Sequence, residues 1–271
     1  MFTNTKAVGS SNIVLRSSLF WKDGDKIGST WGYLSRQYTP AYNAKMMKKM
    51  QEYGCNTMTF IVYHAGDPAC VCNPFVGFPN AKQVMEGKNQ VDMQEIERWL
   101  ALLEPGKDPN VFLIPTIYCG DDWATTQNEE FHKWFLPGVI EFFRPYAKGF
   151  MIATEASKSM NVRLQERVIT TMKTAMGFRQ VPVGVHNQGA KIAGNADFLA
   201  YEFSWHPQDG DNYTPQQVVD ELKGVLRDYP NYIWPQEINM NVESKRAREQ
   251  VRAIAELAKS EPRIVGLPGP I

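Results

Sequence analysis

Short apolar runs alternate with amphipathic stretches along this chain, and the alternation is regular enough to predict a fold. Eight runs read as strands: residues 12–21, 55–64, 111–118, 150–154, 181–186, 197–205, 232–236 and 263–267. The third, Val111 to Tyr118, is almost continuously apolar, as a strand buried on both faces requires. Between the runs, apolar residues recur at helical spacing. Met46, Met47, Met50 and Tyr53 form one such stripe after the start signal Thr39-Pro40, and Gly54 ends it. Ile96, Trp99, Leu100 and Leu103 form another, opened by Asp92 with Glu95 three residues on. Asn128 to Tyr146 reads as a helix that Pro137 should kink or divide. Val162 to Met176 reads as an amphipathic helix, Thr214-Pro215 opens a further one, and Val242 to Ala258 is the last. Ala190 to Asn195 leaves room for no more than one helical turn.

Eight strands and seven helical or near-helical connectors predict an α/β fold, a single (β/α)8 barrel of the TIM type, over residues 1–271. The 271 residues suit such a barrel, which typically takes about 250. No eighth helix follows the last strand, so the closing pair is expected to be covered by the N-terminal segment or by a partner or second copy. The long Gly-, Pro- and Asn-rich stretch from Ala65 to about Gln90 leaves the C-terminal end of a strand, where a barrel keeps its substrate loops.

Composition narrows the function. Lys and Arg number 29, Asp and Glu number 29, and no like-charge block occurs, so a nucleic-acid partner is not expected. No run of roughly 18 apolar residues is present, so a membrane span is not expected either. Met1 to Ser11 lacks a basic start followed by an apolar stretch; a cytoplasmic protein, or one released without a signal peptide, is the expectation. Cys55, Cys70, Cys72 and Cys119 are read as reduced thiols, with a loop metal site including His64 and Asp67 as the weaker alternative. No glycine-rich dinucleotide fingerprint, phosphate loop or serine elbow appears, and no cofactor is expected.

The candidate chemistry sits at the strand ends. The fourth run ends in Thr154-Glu155 and the seventh in Gln236-Glu237. A parallel barrel gathers its strand C-termini on one face, which would set these two carboxyls across a pocket. Paired carboxyls of that kind are the minimum for cleaving a glycosidic bond. For either glutamate alone, a surface ion pair such as Glu155 with Lys158 is the plainer alternative. The arrangement resembles the retaining glycoside hydrolases built on (β/α)8 barrels, whose acid/base glutamate follows strand four and whose nucleophile follows strand seven. The resemblance implies Glu155 as acid/base, Glu237 as nucleophile, and an oligo- or polysaccharide substrate. Two positions depart from the family's pattern. Thr154 stands where asparagine normally precedes the acid/base, and Pro268-Gly269-Pro270 stands where a tryptophan is expected.

Other strand-end residues are candidate carbohydrate contacts: His64 after strand two, Asp121, Asp122 and Trp123 after strand three, and His186 and Asn187 closing strand five. On strand six, Tyr201 either hydrogen-bonds Glu237 or faces the helices. Glu202 either joins the pocket as a third carboxylate or pairs with Arg16. By strand parity Ala200, Glu202, Ser204 and His206 point inward, and Trp205 with His206 reads as a stacking wall. Two rival classes remain. One is a carbohydrate-binding barrel without catalysis, serving as a module of a larger assembly. The other is a metal-dependent hydrolase using Asp121, Asp122, Glu155 and His186.

Overall fold

The computed structural model describes residues 15–17, 21–22, 26–27, 56–63, 107, 111–118, 127–189, 192–239, 241 and 244–268. The expected helices near residues 40–53 and 92–103, the loop 65–90, all four cysteines, His64, Asp121, Asp122 and Trp123 lie outside the described residues.

Eight strands form one sheet: β1 (Leu15–Ser17), β2 (Thr57–Tyr63), β3 (Phe112–Tyr118), β4 (Phe150–Ala153), β5 (Val183–Gln188), β6 (Phe198–Glu202), β7 (Tyr232–Gln236) and β8 (Gly266–Pro268). They run β8-β1-β2-β3-β4-β5-β6-β7, every pairing parallel. A further parallel bridge joins Ile233 of β7 to Ile264, just ahead of β8. There the Ile233 N–H donates to Arg263 O at 2.7 Å and the Val265 N–H donates to Ile233 O at 2.9 Å. Trp21–Lys22 and Lys26–Ile27 pair separately as a small antiparallel ribbon. All eight runs picked out by the hydrophobic pattern overlap strands of this sheet, in the expected order.

Four helices are described: α1 (Glu129–Phe143), α2 (Val162–Met176), α3 (Pro215–Asp228) and α4 (Lys245–Ser260). Each begins on a side chain that accepts from a first-turn N–H: Asn128, Asn161, Thr214 and Ser244 respectively. Thr214 and Gln217 complete a reciprocal capping box, so the Thr-Pro start signal is read correctly. Pro137 does not divide α1. The helix runs through it because Phe131, Phe135, Leu136, Val139, Ile140 and Phe143 bury a continuous stripe, which outweighs one lost backbone hydrogen bond. Between β5 and β6 no helix occurs among the described residues.

The strand alternation sorts side chains to two faces. One face packs on α1 and α2 through Leu113, Ile117, Ile152, Val183 and Val185, and on α3 and α4 through Leu199, Ile233 and Leu267. The other gathers Phe112, Ile114, Met151, Phe198, Ala200, Trp234 and Val265 into a separate cluster. Burying each large apolar side chain contributes about 1.5–3 kcal/mol. Gly184 is fixed by that second cluster, since a Cβ there would lie 2.3 Å from the Phe198 ring. Parity therefore aims His186, two residues on from Gly184, and Glu202, two on from Ala200, toward the same face as the cluster.

Candidate active site

β4 stops at Ala153, and the Thr154 N–H still donates to Tyr118 O at 3.0 Å. The next residue, Glu155, leaves the strand with φ 40° and ψ 49° and starts a short 3-10 turn, Ala156–Lys158. Its N–H donates to His186 Nδ1 at 3.0 Å. The turn is tied to β5: the Ser157 N–H donates to Asn187 Oδ1 at 3.2 Å, the Ser157 hydroxyl donates to the same oxygen, and Asn187 Nδ2 donates to Gly189 O at 3.0 Å. The Glu155 carboxylate is paired with Lys158, and its side chain is 30% exposed. The plainer alternative offered for this glutamate, an ion pair with Lys158, is therefore present.

β7 ends the same way. Glu237 has φ 50°, and among the described residues it and Glu155 are the two non-glycine residues with positive φ. An L-residue held there gives up roughly 1–2 kcal/mol, and strain of this kind collects at functional positions. Glu237 is only 10% exposed. The loop beyond it is fastened from several sides. Trp205 Nε1 donates to Ile238 O at 2.8 Å, and Asn239 Nδ2 donates to Asp211 Oδ1 at 2.9 Å. Asn241 Nδ2 and the Ser244 hydroxyl also donate to Asp211, at 3.0 and 2.6 Å. The Ser244 hydrogen bond chiefly, then those of Asn239 and Asn241, holds the Asp211 carboxyl below its usual range despite some burial. Gly210 packs so closely that a Cβ would lie 2.6 Å from Asn239 Cα.

His186 joins the two strand ends. It is fully buried, accepts from the Glu155 N–H at Nδ1, and places Nε2 3.4 Å from Glu237 Oε1. Burial opposes a charge on the ring. The hydrogen bond and charge of Glu237, with the charges of Glu202 and Glu155, outweigh it and raise the pKa. In the neutral ring the Glu155 N–H occupies Nδ1, which leaves the proton on Nε2, facing Glu237.

Glu202 completes the cluster. One ligating atom from each of His186, Glu202 and Glu237 lies within 4.8 Å of the others. Burial first, then the charge of Glu237, push the Glu202 carboxyl up to about 7. Donor set and spacing alone would fit a divalent cation held by these three. The proton on His186 Nε2 tells against it, because that nitrogen is the one a metal would need as a lone pair. Of the residues suggested for a metal, Asp121 and Asp122 lie outside the described residues.

Several expected contacts are corrected. Tyr201 does not reach Glu237. It faces the helices, donating to Glu221 Oε1 of α3 at 2.6 Å, and burial with that bond pushes its phenol far up. Trp205 is not a stacking wall for a ligand. Its ring is 5% exposed and lies on Tyr213 with centroids 4.0 Å apart. Inward parity fails after Glu202 because β6 ends there. Ser204 turns to Glu221, receiving no inward position, and His206 is exposed, its Nδ1 accepting from the Gln208 N–H to cap the 3-10 helix Pro207–Asn212. Asn187 is buried and spends its amide on the Glu155 turn, so it anchors a loop and does not line a pocket. The Arg16 side chain lies outside the described residues. The tie from His186 Nδ1 to the Glu155 backbone was not legible in the sequence, because it joins positions 31 apart through a main-chain donor.

No protein-family profile and no curated protein sequence matches the chain. Solved structures do. A family 1 β-glucosidase from Thermotoga maritima in complex with isofagomine lactam superposes with a TM-score of 0.58 at 9% identity, covering 85% of this chain and 76% of that one. The Thermotoga maritima β-glucosidase with deoxynojirimycin gives 0.57 at 8% identity, over 83% and 76%. An apo β-glucosidase gives 0.51 at 12% identity, over 85% and 77%. At such identities the likeness is one of fold: this chain arranges parallel strands and helices as those glycoside hydrolases do.

Proposed function

We propose that this chain is a glycoside hydrolase on a single (β/α)8 barrel, cleaving an oligo- or polysaccharide by double displacement. Glu237 is the nucleophile and Glu155 the acid/base. The observation that carries the reading is the backbone: two glutamates, ending the fourth and seventh strands, held at positive φ and joined through His186. In the first step a Glu237 oxygen attacks the anomeric carbon as the bond to the leaving oxygen breaks, and Glu155 gives that oxygen its proton. In the second, water attacks the same carbon, passes a proton to Glu155 and frees Glu237. His186 Nε2, 3.4 Å from Glu237 Oε1, helps to orient that carboxylate. The fold shared with β-glucosidases supports the class and leaves sugar and linkage open.

The test is a panel of aryl glycosides and polysaccharides with wild type, Glu155→Gln and Glu237→Gln. Glu237→Gln should abolish turnover. Glu155→Gln should lose about 10²–10⁴-fold on substrates with poor leaving groups and far less on dinitrophenyl glycosides, which need no acid. Wild-type turnover by Glu237→Gln would end this assignment. The Lys158 pairing of Glu155 favours a second reading, a carbohydrate-binding barrel without catalysis, which would show glycan binding and no product.

A further inference from the structure

Glu202 has no place in the mechanism above, yet it stands inside the site. It is the last residue of β6, opposite Gln188 on β5 and Gln236 on β7. It shares parity with Phe198 and Ala200 of the inward-facing cluster. A Glu202 oxygen lies within 4.8 Å of both a Glu237 oxygen and a ring nitrogen of His186. Its Oε2 is buried and makes no hydrogen bond among the described residues. A buried carboxylate beside another, lacking a donor, is costly when ionised and is best relieved by keeping a proton.

We infer that Glu202 is a positioning residue that works as a neutral carboxylic acid, presenting its O–H toward Glu237 as a second donor beside His186. The role rests on Glu237 being the nucleophile. It is the task the sequence offered to Tyr201, moved by one residue to the side chain that points inward. A neutral donor fixes one Glu237 oxygen while the other attacks, and the proton stays on Glu202 throughout. The charged groups facing Glu202 among the described residues are Glu237, Glu155, His186 and Lys158. The carboxylates favour its protonated form and the two bases oppose it.

Glu202 is neutral below about 7 and ionised above, so kcat should fall on the alkaline side with a midpoint near that value. Glu202→Leu should lower kcat about 10–100-fold, with less effect on KM, because it removes one preorganised donor. Glu202→Gln keeps a donor that does not titrate. It should recover most of that loss and flatten the alkaline limb. A wild-type profile flat through that region overturns the inference. So does a Glu202→Gln enzyme as poor as Glu202→Leu whose turnover returns with azide, which would make Glu202 the acid itself.

A second measurement needs no substrate and survives failure of the hydrolase reading. In protein labelled with ¹³C at glutamate carboxyls, one resonance should titrate near 7, vanish in Glu202→Gln, and move to lower pH in Glu237→Gln. Absence of that resonance, or its persistence in Glu202→Gln, overturns the inference. A wild type that turns over none of the glycosides yet keeps this titration removes the hydrolase reading and leaves the proton on Glu202.

Discussion

The two glutamate stations share a backbone device and differ in nearly everything around it. Glu155 and Glu237 both leave their strands at positive φ. Glu155 is 30% exposed and paired with a lysine three residues on. Glu237 is 10% exposed and faces a buried histidine. The turn behind Glu155 hangs mainly on Asn187, whereas Trp205, Asp211 and Gly210 fasten the loop behind Glu237. One carboxyl sits in a site open to water and paired with a lysine; the other is held in a site largely closed to water. A double displacement gives its two carboxyls different tasks, and these two sit in different surroundings.

Attacking the more tightly fastened station should have the larger effect. At Gly210 a Cβ would lie 2.6 Å from both Asn239 Cα and Ile238 O. The obstruction is main chain, so no side-chain rotation relieves it. Gly210→Val is expected to destabilise the protein by about 1–3 kcal/mol, read from urea unfolding. It should also displace the Glu237 loop, lowering kcat more than that loss of stability accounts for at temperatures where the variant is fully folded. Unchanged turnover would show that the network does not set the position of Glu237.

Asn187→Ala attacks the other station. It strips the acceptor from the Ser157 N–H and hydroxyl and frees Gly189 O. Leaving partly buried groups unmatched costs about 1–2 kcal/mol, again by urea unfolding. Because the turn carries Glu155 and not Glu237, the activity lost should be recovered in part with activated leaving groups. Equal losses on all substrates would contradict the separation of the two stations.

What was legible in the sequence divides along the same line. The strands declared themselves through apolar runs, and caps such as Thr214-Pro215 marked helix starts, because those signals are local. The positions of Glu155 and Glu237 followed from counting strands. Side-chain direction past a strand end did not follow. Parity placed Ser204 and His206 inward, but β6 ends at Glu202 and the chain turns to meet Glu221 and to cap a 3-10 helix. Trp205 looked like a sugar platform because an indole at a strand end serves equally well as packing. Its bond to Ile238 O, 33 residues away, decides between the two. Glu202 could be named only as a competitor, since its company with His186 and Glu237 depends on three strands lying side by side.

The smallest expected effect tests whether the Lys158–Glu155 pair has any structural weight. Lys158 is 54% exposed and Glu155 30%, so water screens the attraction and competes for both groups. A pair of that kind is worth about 0–1 kcal/mol. Lys158→Met should therefore leave the urea midpoint nearly unchanged, and any loss should shrink further in salt. The Ser157 bonds to Asn187 remain, so the turn keeps its shape without the lysine. A loss well beyond that range would mean that the ion pair, and not Asn187, holds Glu155 in its left-handed conformation. The contrast between a loosely tied and a tightly tied carboxyl would then have to be redrawn, with an ion pair at one station doing the work that a buried hydrogen-bond network does at the other.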